Sequence, residues 1–224
     1  MIPISERTLE ILKNMGTMST RVVFKKGNRI LQKPDDLSNP IVEAIVDEEF
    51  PCDFQIYNID KFVNLCKMMD EPKLEIDPTQ VIVTDANNRE AVLRCADLNV
   101  LRGVPDYARA IRLPNVDAQF TVGEDDWKAL SRSASIVDAP QLAFIGDGTR
   151  IRLSTFDVYN GKSKDTFSME VGSTDRKFTM IIDSQFLKML PDSYEVSLSF
   201  KGLAQFKAED ITYFVAANEK SKYA

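Results

Sequence analysis

The spacing of apolar residues along the first half of the chain predicts helices and strands in a fixed order. Apolar positions at helical spacing predict helices at about 5–15 and 60–69, with Ser5 and Asp60 placed to act as N-caps. Shorter stretches of alternating apolar and polar residues predict strands before and after the second helix. The predicted strands of this half lie at about 21–26, 29–33, 41–47, 53–57, 73–77, 80–84 and 89–97.

The second half repeats the same order of elements. A strand near 117–122 leads into a helix at about 124–137, and a short second helix is expected after Asp183. The stretch Gly27-Asn28-Arg29-Ile30 of the first half matches Gly148-Thr149-Arg150-Ile151 of the second, which supports an internal duplication. The remaining predicted strands lie at about 141–145, 150–156, 165–171, 177–182, 194–200, 203–208 and 211–217.

This repetition predicts an α+β fold made of two similar domains, each with two helices packed on antiparallel sheets. A segment that contains glycine and two prolines separates the halves. We therefore predict a first domain at 1–108 and a second at 109–224, with a connector at about 101–114.

The composition excludes several kinds of chemistry. The chain has 224 residues and no histidine, which rules out serine–histidine and cysteine–histidine catalysis and removes the commonest metal ligand. Cys52, Cys66 and Cys95 form no CxxC pair and are expected to be reduced, buried thiols. Gly161-Lys162-Ser163 lacks the glycine that a phosphate-binding loop needs five positions earlier. We therefore expect neither a cofactor nor a metal.

The expected location is the cytoplasm, that of the host cell if the protein is viral. The sequence contains no run of about 18 apolar residues, so no membrane association is expected, and its N-terminus does not look like a secretion signal. The net charge is −6, whereas simple DNA-binding domains are usually basic. The placement of the positive residues therefore matters more than their number.

Lysine and arginine occupy one face of every predicted helix. On a helical wheel they lie opposite the apolar residues, whereas most acidic residues fall in caps and first turns, where they complement the helix dipole. A solvated helix face usually mixes charges, as Glu6 and Glu10 do on the first helix. Four such helices in an acidic chain nevertheless favour a shared basic surface that meets phosphates. The residues expected to face DNA are Arg7, Lys13, Lys61, Lys67, Lys128, Arg132 and Lys188.

Several local stretches, together with the length and the duplicated order of elements, resemble the sliding clamps of T-even-type phages. The resemblance runs from end to end and covers both predicted domains. It involves no catalytic motif, because clamps are not enzymes. The stretches are Ile56-Tyr57-Asn58-Ile59-Asp60-Lys61-Phe62, Lys73-Leu74-Glu75-Ile76, Ala204-Gln205-Phe206-Lys207-Ala208-Glu209 and Tyr213-Phe214-Val215-Ala216-Ala217.

The resemblance implies a DNA clamp fold and a processivity factor for DNA replication. Three chains would form a homotrimeric ring whose helices surround duplex DNA and contact phosphates regardless of sequence. An ATP-driven clamp loader would open and close the ring, which would tether the replicative DNA polymerase to its template. In viral late transcription the ring would also tether RNA polymerase or its late-transcription factors.

The resemblance also implies two protein contact sites. The last strand of the first domain would pair with the strand near Thr166–Gly172 of the next subunit, through Val92, Leu93, Phe167 and Met169. Partner peptides would bind beside the connector and the closing strand, although apolar connector residues could instead cover the gap between two domain cores. The expected pocket residues are Leu101, Val104, Tyr107, Ile111, Tyr213 and Val215.

Two other functions remain open at this point. Carboxylates such as Asp35, Asp36, Asp85 and Asp97 would suit a metal-dependent nuclease if folding brought them together. A duplicated scaffold protein without a DNA role is the other alternative, but it would leave the basic helix faces unexplained.

Overall fold

The described part of the chain forms two compact units, called here the first and the second unit. The first unit contains 1–33 and 41–96, and the second contains Pro40 and the described residues from 112 onwards. The predicted domain boundary after residue 108 lies outside the described residues and stays a prediction. The computed structural model describes residues 1–33, 40–96, 112–157 and 165–223.

The first unit consists of two antiparallel sheets and two helices. Its helices are α1 (Glu6–Gly16) and α2 (Ile59–Met68). Its strands are β1 (Ile2–Pro3), β2 (Val22–Lys25), β3 (Gly27–Gln32), β4 (Ile41–Phe50), β5 (Phe54–Ile56), β6 (Lys73–Asp77), β7 (Gln80–Thr84) and β8 (Glu90–Arg94). Within this unit the strands pair in the order β5-β2-β3-β4 in one sheet and β1-β6-β7-β8 in the other.

Aromatic rings and the apolar helix faces fill the core of the first unit. The ring of Phe24 stacks on that of Phe54 at a centroid distance of 4.3 Å, and Phe62 of α2 meets Phe24 edge-on. The apolar face predicted for α1 is buried, including Leu9 and Leu12. Burial of this face stabilises the helix more than its intrinsic propensity does, because so short a helix is marginal alone.

The second unit has the same kinds of element, with one α-helix, α3 (Glu124–Ile136), and a 3-10 helix at Ser184–Lys188. Its strands are β9 (Ala118–Val122), β10 (Gln141–Asp147), β11 (Arg150–Phe156), β12 (Ser168–Ser173), β13 (Lys177–Asp183), β14 (Tyr194–Ser199), β15 (Leu203–Lys207), β16 (Ile211–Ala216) and β17 (Lys222–Tyr223). They pair antiparallel in the orders β12-β11-β10-β13-β17 and β9-β14-β15-β16.

The two units share one topology, which confirms the predicted α+β duplication. The order β5-β2-β3-β4 corresponds to β13-β10-β11-β12, and β1-β6-β7-β8 corresponds to β9-β14-β15-β16. Gly27 and Gly148 follow equivalent strands and have nearly the same backbone angle, with φ of 95° and 94°. Such positive φ values favour glycine, so the sequence match between these hairpins has a conformational cause.

Three details differ from the prediction. The helix expected after Asp183 is a five-residue 3-10 helix and not an α-helix. Asn58 caps α2 instead of Asp60, because its side chain accepts a hydrogen bond from the backbone N–H of Lys61 at 2.9 Å. The short strands β1 and β17 were not predicted, since two residues carry no alternation to detect.

The remaining general expectations can be compared with the described residues. All three cysteines are free, but only Cys66 is buried, and its burial raises the pKa of its thiol to about 12. Cys52 and Cys95 are half-buried, so the expectation of buried thiols was wrong for these two. Among the described residues, no helix is both long and apolar enough to cross a membrane.

Candidate nucleic-acid interface

The helices of the first unit present four of the predicted DNA-facing side chains. Lys13, Lys61 and Lys67 are exposed, and Arg7 is half-exposed, each on a part of its helix outside the buried apolar face. Ser5 caps α1 as predicted, because its hydroxyl accepts a hydrogen bond from the backbone N–H of Thr8 at 3.1 Å. The caps and buried faces therefore fix which sides of α1 and α2 carry the cations.

A groove between α1 and α2 brings Arg7, Lys13 and Lys67 together, but it also contains acidic side chains. Arg7 and Glu10 form an exposed ion pair at 2.9 Å, one turn apart on α1. Lys13, Lys61 and Lys67 form no ion pair with any described residue. The first unit therefore offers three cations for phosphate, while Arg7 is already partly neutralised. The acidic residues of the groove are Glu6, Glu10, Asp70 and Glu71.

The face of α3 carries Lys128 and Arg132 one turn apart, as predicted. The carboxylate of Glu124 accepts a hydrogen bond from Lys128 at 2.5 Å and thereby raises the pKa of the Lys128 ammonium. Arg132 is exposed and forms no ion pair with a described residue. Lys128 therefore remains a cation at neutral pH, but a phosphate would compete with Glu124 for it.

Lys188 lies at the end of the 3-10 helix and is exposed. A shallow groove between this element and the second half of α3 contains Lys188 together with the hydroxyl-bearing Ser131 and Ser135. Asp138 is its one acidic residue among those described. Each unit thus carries its predicted DNA-facing side chains on or beside its own pair of helical elements.

The strands predicted to join subunits are both sheet edges within the described residues. β8 pairs with β7 alone and β12 with β11 alone. The side chain of Val92 is 49% exposed, whereas that of Leu93 is 7% exposed and faces inward. Phe167 and Met169 are half-buried, and Phe167 precedes β12.

Backbone hydrogen bonds show which groups of these edges are available. The N–H of Cys95 donates to the carbonyl of Thr79 at 2.8 Å, so the alternation of an antiparallel ladder turns the N–H of Val92 away from β7. The N–H of Thr155 donates to the carbonyl of Phe167 at 2.9 Å, so the N–H of Met169 faces β11, and that of Glu170 faces outward.

The predicted partner pocket is only partly within the described residues. Leu101, Val104, Tyr107 and Ile111 lie outside them, so these four remain predictions. Tyr213 and Val215 are fully buried, which corrects the expectation that their side chains border an open pocket. The hydroxyl of Tyr213 accepts a hydrogen bond from the backbone N–H of Leu190 at 3.2 Å, as a core tyrosine requires.

The carboxylates considered for metal chemistry do not assemble into a site among the described residues, where no group of three or more metal-ligating side chains occurs. The carboxylate of Asp85 accepts hydrogen bonds from the backbone N–H groups of Asn87 and Arg89 and from the Arg89 guanidinium. It therefore organises the turn between β7 and β8. Asp35, Asp36 and Asp97 lie outside the described residues.

Comparisons with known proteins agree with this geometry. Residues 120–219 match the family described as gp45 sliding clamp, C terminal. The sliding clamp of Vibrio phage KVP40 is 24% identical over 217 residues, which covers 95% of this chain and 97% of that protein. The sliding clamp of Enterobacteria phage T4 is 21% identical over 227 residues and covers 98% of both proteins.

The fold is also that of solved clamps. The structure of A. fulgidus PCNA bound to the C-terminal region of FEN-1 has a TM-score of 0.70 and 14% identity, and the match covers 99% of this chain and 100% of that one. The duplicated sheets and helices therefore define a chain with the DNA sliding-clamp fold. The sequence matches confirm the more particular resemblance, to the sliding clamps of T-even-type phages.

Proposed function

We propose that three copies of this chain form a ring that encircles duplex DNA and tethers the replicative DNA polymerase to its template. The observation that carries this proposal is the duplicated unit with a sheet edge in each copy that is unpaired among the described residues, β8 in the first unit and β12 in the second. Pairing of these edges between copies would satisfy their free backbone groups and build a closed assembly.

The charge distribution supports duplex DNA as the molecule inside the ring. Exposed cations occur on the helices of both units although the chain carries a net charge of −6. Lysine and arginine contacts to phosphate are independent of sequence and exchange readily, which permits sliding. An acidic exterior would repel DNA from the outside of the ring.

The partners follow from the same proposal. A clamp loader driven by ATP would open the ring, and short partner peptides would bind beside the connector. PCNA, which has the same fold, is bound to the C-terminal region of FEN-1 in a solved structure, so peptide binding is known for this fold. The ring itself would be no enzyme, and it would tether RNA polymerase or its late-transcription factors in viral late transcription, in the host cell cytoplasm.

The first experiment measures assembly and topology together. We expect a solution mass three times that of the chain. We also expect a loaded ring to stay on circular DNA and to slide off after the circle is cut. A monomer at all concentrations, or equal retention on circular and linear DNA, would contradict the proposal.

The second experiment tests the DNA-facing residues. Replacing Lys67, Lys128, Arg132 and Lys188 with alanine together is expected to leave the trimer intact, because all four side chains are at least partly exposed. DNA loading should weaken, and its dependence on salt should become less steep. The matched control replaces Lys73, Lys177, Lys207 and Lys222, which are exposed lysines on strands. Unchanged loading by the first variant would remove its residues from the DNA surface.

A further inference from the structure

An exposed tyrosine lies beside an arginine where the first unit's two helices meet. The side chain of Tyr57 is 61% exposed, and the Arg21 guanidinium carbon lies 5.6 Å from the centre of its ring. Tyr57 directly precedes Asn58, the N-cap of α2, and Arg21 directly precedes β2. Large exposed aromatic rings commonly serve in binding, because they bury much area with little loss of conformational freedom.

The backbone beneath this pair is held in place from two sides. The buried side chain of Gln32 donates hydrogen bonds to the carbonyls of Ser19 and Arg21 at 2.9 and 3.0 Å. The N–H of Ile59 donates to the carbonyl of Thr20 at 2.9 Å, which ties the segment before β2 to the start of α2. The ring and the guanidinium are therefore presented by a fixed backbone, so a ligand would need to order little of it.

The second unit makes the same turn without such a pair. The position before its cap residue Asp183 holds Ile182, which is fully buried, and the segment before β10 contains Asp138, Ala139 and Pro140. The fold therefore does not require an exposed aromatic ring at this place. The geometry of the turn therefore does not explain why Tyr57 and Arg21 are present in the first unit.

We infer that Tyr57 and Arg21 form a stacking platform for an unpaired nucleobase of DNA, such as the first template base beyond a primer end. A flat ring partnered by a guanidinium binds the face of any base, which gives contact without sequence preference. Lys61, on the first turn of α2 and among the proposed DNA-facing residues, would hold the adjoining phosphate. This inference rests on the proposed function, because the helices must face DNA for the platform to meet a base.

The charges around the platform suit a nucleic acid. Arg21 supplies positive charge beside the ring, and Lys61 is an exposed cation four residues further along the chain, in the first turn of α2. The nearest acidic neighbour in sequence is Asp60, whose carboxylate lies close against Gly16 at the end of α1. The platform therefore combines a π-face, a guanidinium and an ammonium, the groups that bind single-stranded nucleic acid elsewhere.

The test uses the loaded ring on two circular DNAs, one primed and carrying 2-aminopurine as the first unpaired template base, the other fully duplex. Wild-type protein is expected to quench 2-aminopurine fluorescence and to stay at least about fivefold longer on the primed circle. Tyr57→Phe, which keeps the ring, should behave like wild type. Tyr57→Ala should lose both effects while staying normally on the duplex circle. Val116→Ala, an exposed apolar site in the second unit, is the control.

The outcomes separate this inference from the proposed function. Wild-type rings that stay on both circles without quenching or preference for the primed one would overturn the platform alone. Loss of retention by Tyr57→Ala on the duplex circle would show a general DNA contact and would also overturn it. Weaker polymerase tethering by Tyr57→Ala with unchanged fluorescence would assign the ring to a protein partner instead. Failure of the wild type to stay on any circle would overturn the proposed function itself.

Discussion

Lys25 and Gly146 each lie two residues before the positive-φ glycine of the hairpin in their unit. Lys25 forms an ion pair with Asp53, which directly precedes β5 in the first unit. Gly146 lies opposite Phe178 in the register of β10 and β13, and the phenylalanine ring covers the glycine. The two hairpins are thus supported differently near this glycine, by an ion pair in the first unit and by an aromatic contact in the second.

The consequence extends beyond that position in the second unit. The ring of Phe178 packs against that of Phe200, with the ring centroids 5.0 Å apart. Phe200 in turn stacks on Tyr223, with a centroid distance of 4.9 Å. Tyr223 belongs to β17, the short strand that pairs with β13. The aromatic cluster therefore holds the last described strand on the sheet. The comparison teaches that a duplicated topology constrains the backbone, while side chains decide which extra segment each copy can bind.

The largest expected effect concerns β8 of the first unit and β12 of the second, the two edge strands that are predicted to join subunits. Val92→Pro should dissociate the ring at micromolar concentrations, because it removes an outward N–H from β8 and spares the bonds to β7. Glu170→Pro should do the same from β12. Sedimentation would measure assembly, and far-UV circular dichroism would verify the fold. Val92→Thr keeps the N–H and should remain trimeric. Trimers formed by either proline variant would place the interface elsewhere.

The second prediction tests the glycine–phenylalanine contact. A methyl group at Gly146 would lie 2.4 Å from the Phe178 ring and 2.8 Å from the carbonyl of Arg176. Gly146→Ala should therefore destabilise the second unit by about 2–3 kcal/mol through overpacking. Urea unfolding followed by the fluorescence of Trp127, the only tryptophan, would measure this unit. The matched variant Lys25→Ala should cost less than about 1 kcal/mol, because it removes a partly exposed ion pair. Equal losses of stability in Gly146→Ala and Lys25→Ala would contradict the comparison.

Much of the fold could be predicted from the sequence because both units have clear periodicity. Every strand of five residues or more has the alternation or apolar run that a half-buried sheet requires, and α1 and α3 each have apolar residues at helical spacing. The segment after Asp183 misled the prediction, because Phe186 and Leu190 at helical spacing are satisfied equally by one 3-10 turn followed by extended chain.

The site was predictable only in part. The outward side of a helix follows from its apolar face, so the exposure of Lys67 and Arg132 could be predicted. The ion pairs of Arg7 and Lys128 depend on rotamers that periodicity does not describe. The burial of Tyr213 could not be read from its strand, because adjacent β16 residues on both faces are buried. Tyr57 had no signal beyond its own type, since its exposure depends on the turn before α2.

The third prediction compares two ion pairs between corresponding strands. One joins β3 to β4 in the first unit, and the other joins β11 to β12 in the second. Arg29 and Glu43 are only 19% and 16% exposed, whereas Arg150 and Glu170 are 63% and 58% exposed at 3.2 Å. Arg29→Met should cost about 1–2 kcal/mol, because it strands a partly buried carboxylate. Arg150→Met should cost less than about 0.5 kcal/mol in a chain kept monomeric by Val92→Pro. Urea unfolding would measure both, and a larger loss for Arg150→Met would reverse the expected order.

The smallest expected effect is a difference in acid stability between hairpin carboxylates of the two units. Burial disfavours ionisation of Asp85, but backbone N–H groups and the Arg89 guanidinium outweigh it and hold the pKa of Asp85 below its usual value. Backbone N–H groups of Arg150 and Thr149 likewise lower the pKa of Asp147, which is exposed.

A depressed carboxylate pKa stabilises the fold above the unfolded-state pKa, and this stability is lost as pH falls through the folded-state pKa. Asp85→Asn should therefore lower the urea midpoint at pH 7, and the difference from wild type should shrink below about pH 4. Asp147→Asn should show the same trend with a smaller amplitude, because the Asp147 carboxylate is better solvated and the side chains of Arg150 and Arg152 act on it through their charge, whereas the Arg89 guanidinium donates a hydrogen bond to Asp85. A gap between Asp85→Asn and wild type that is constant from pH 7 to pH 3 would assign the loss to turn geometry instead of to charge.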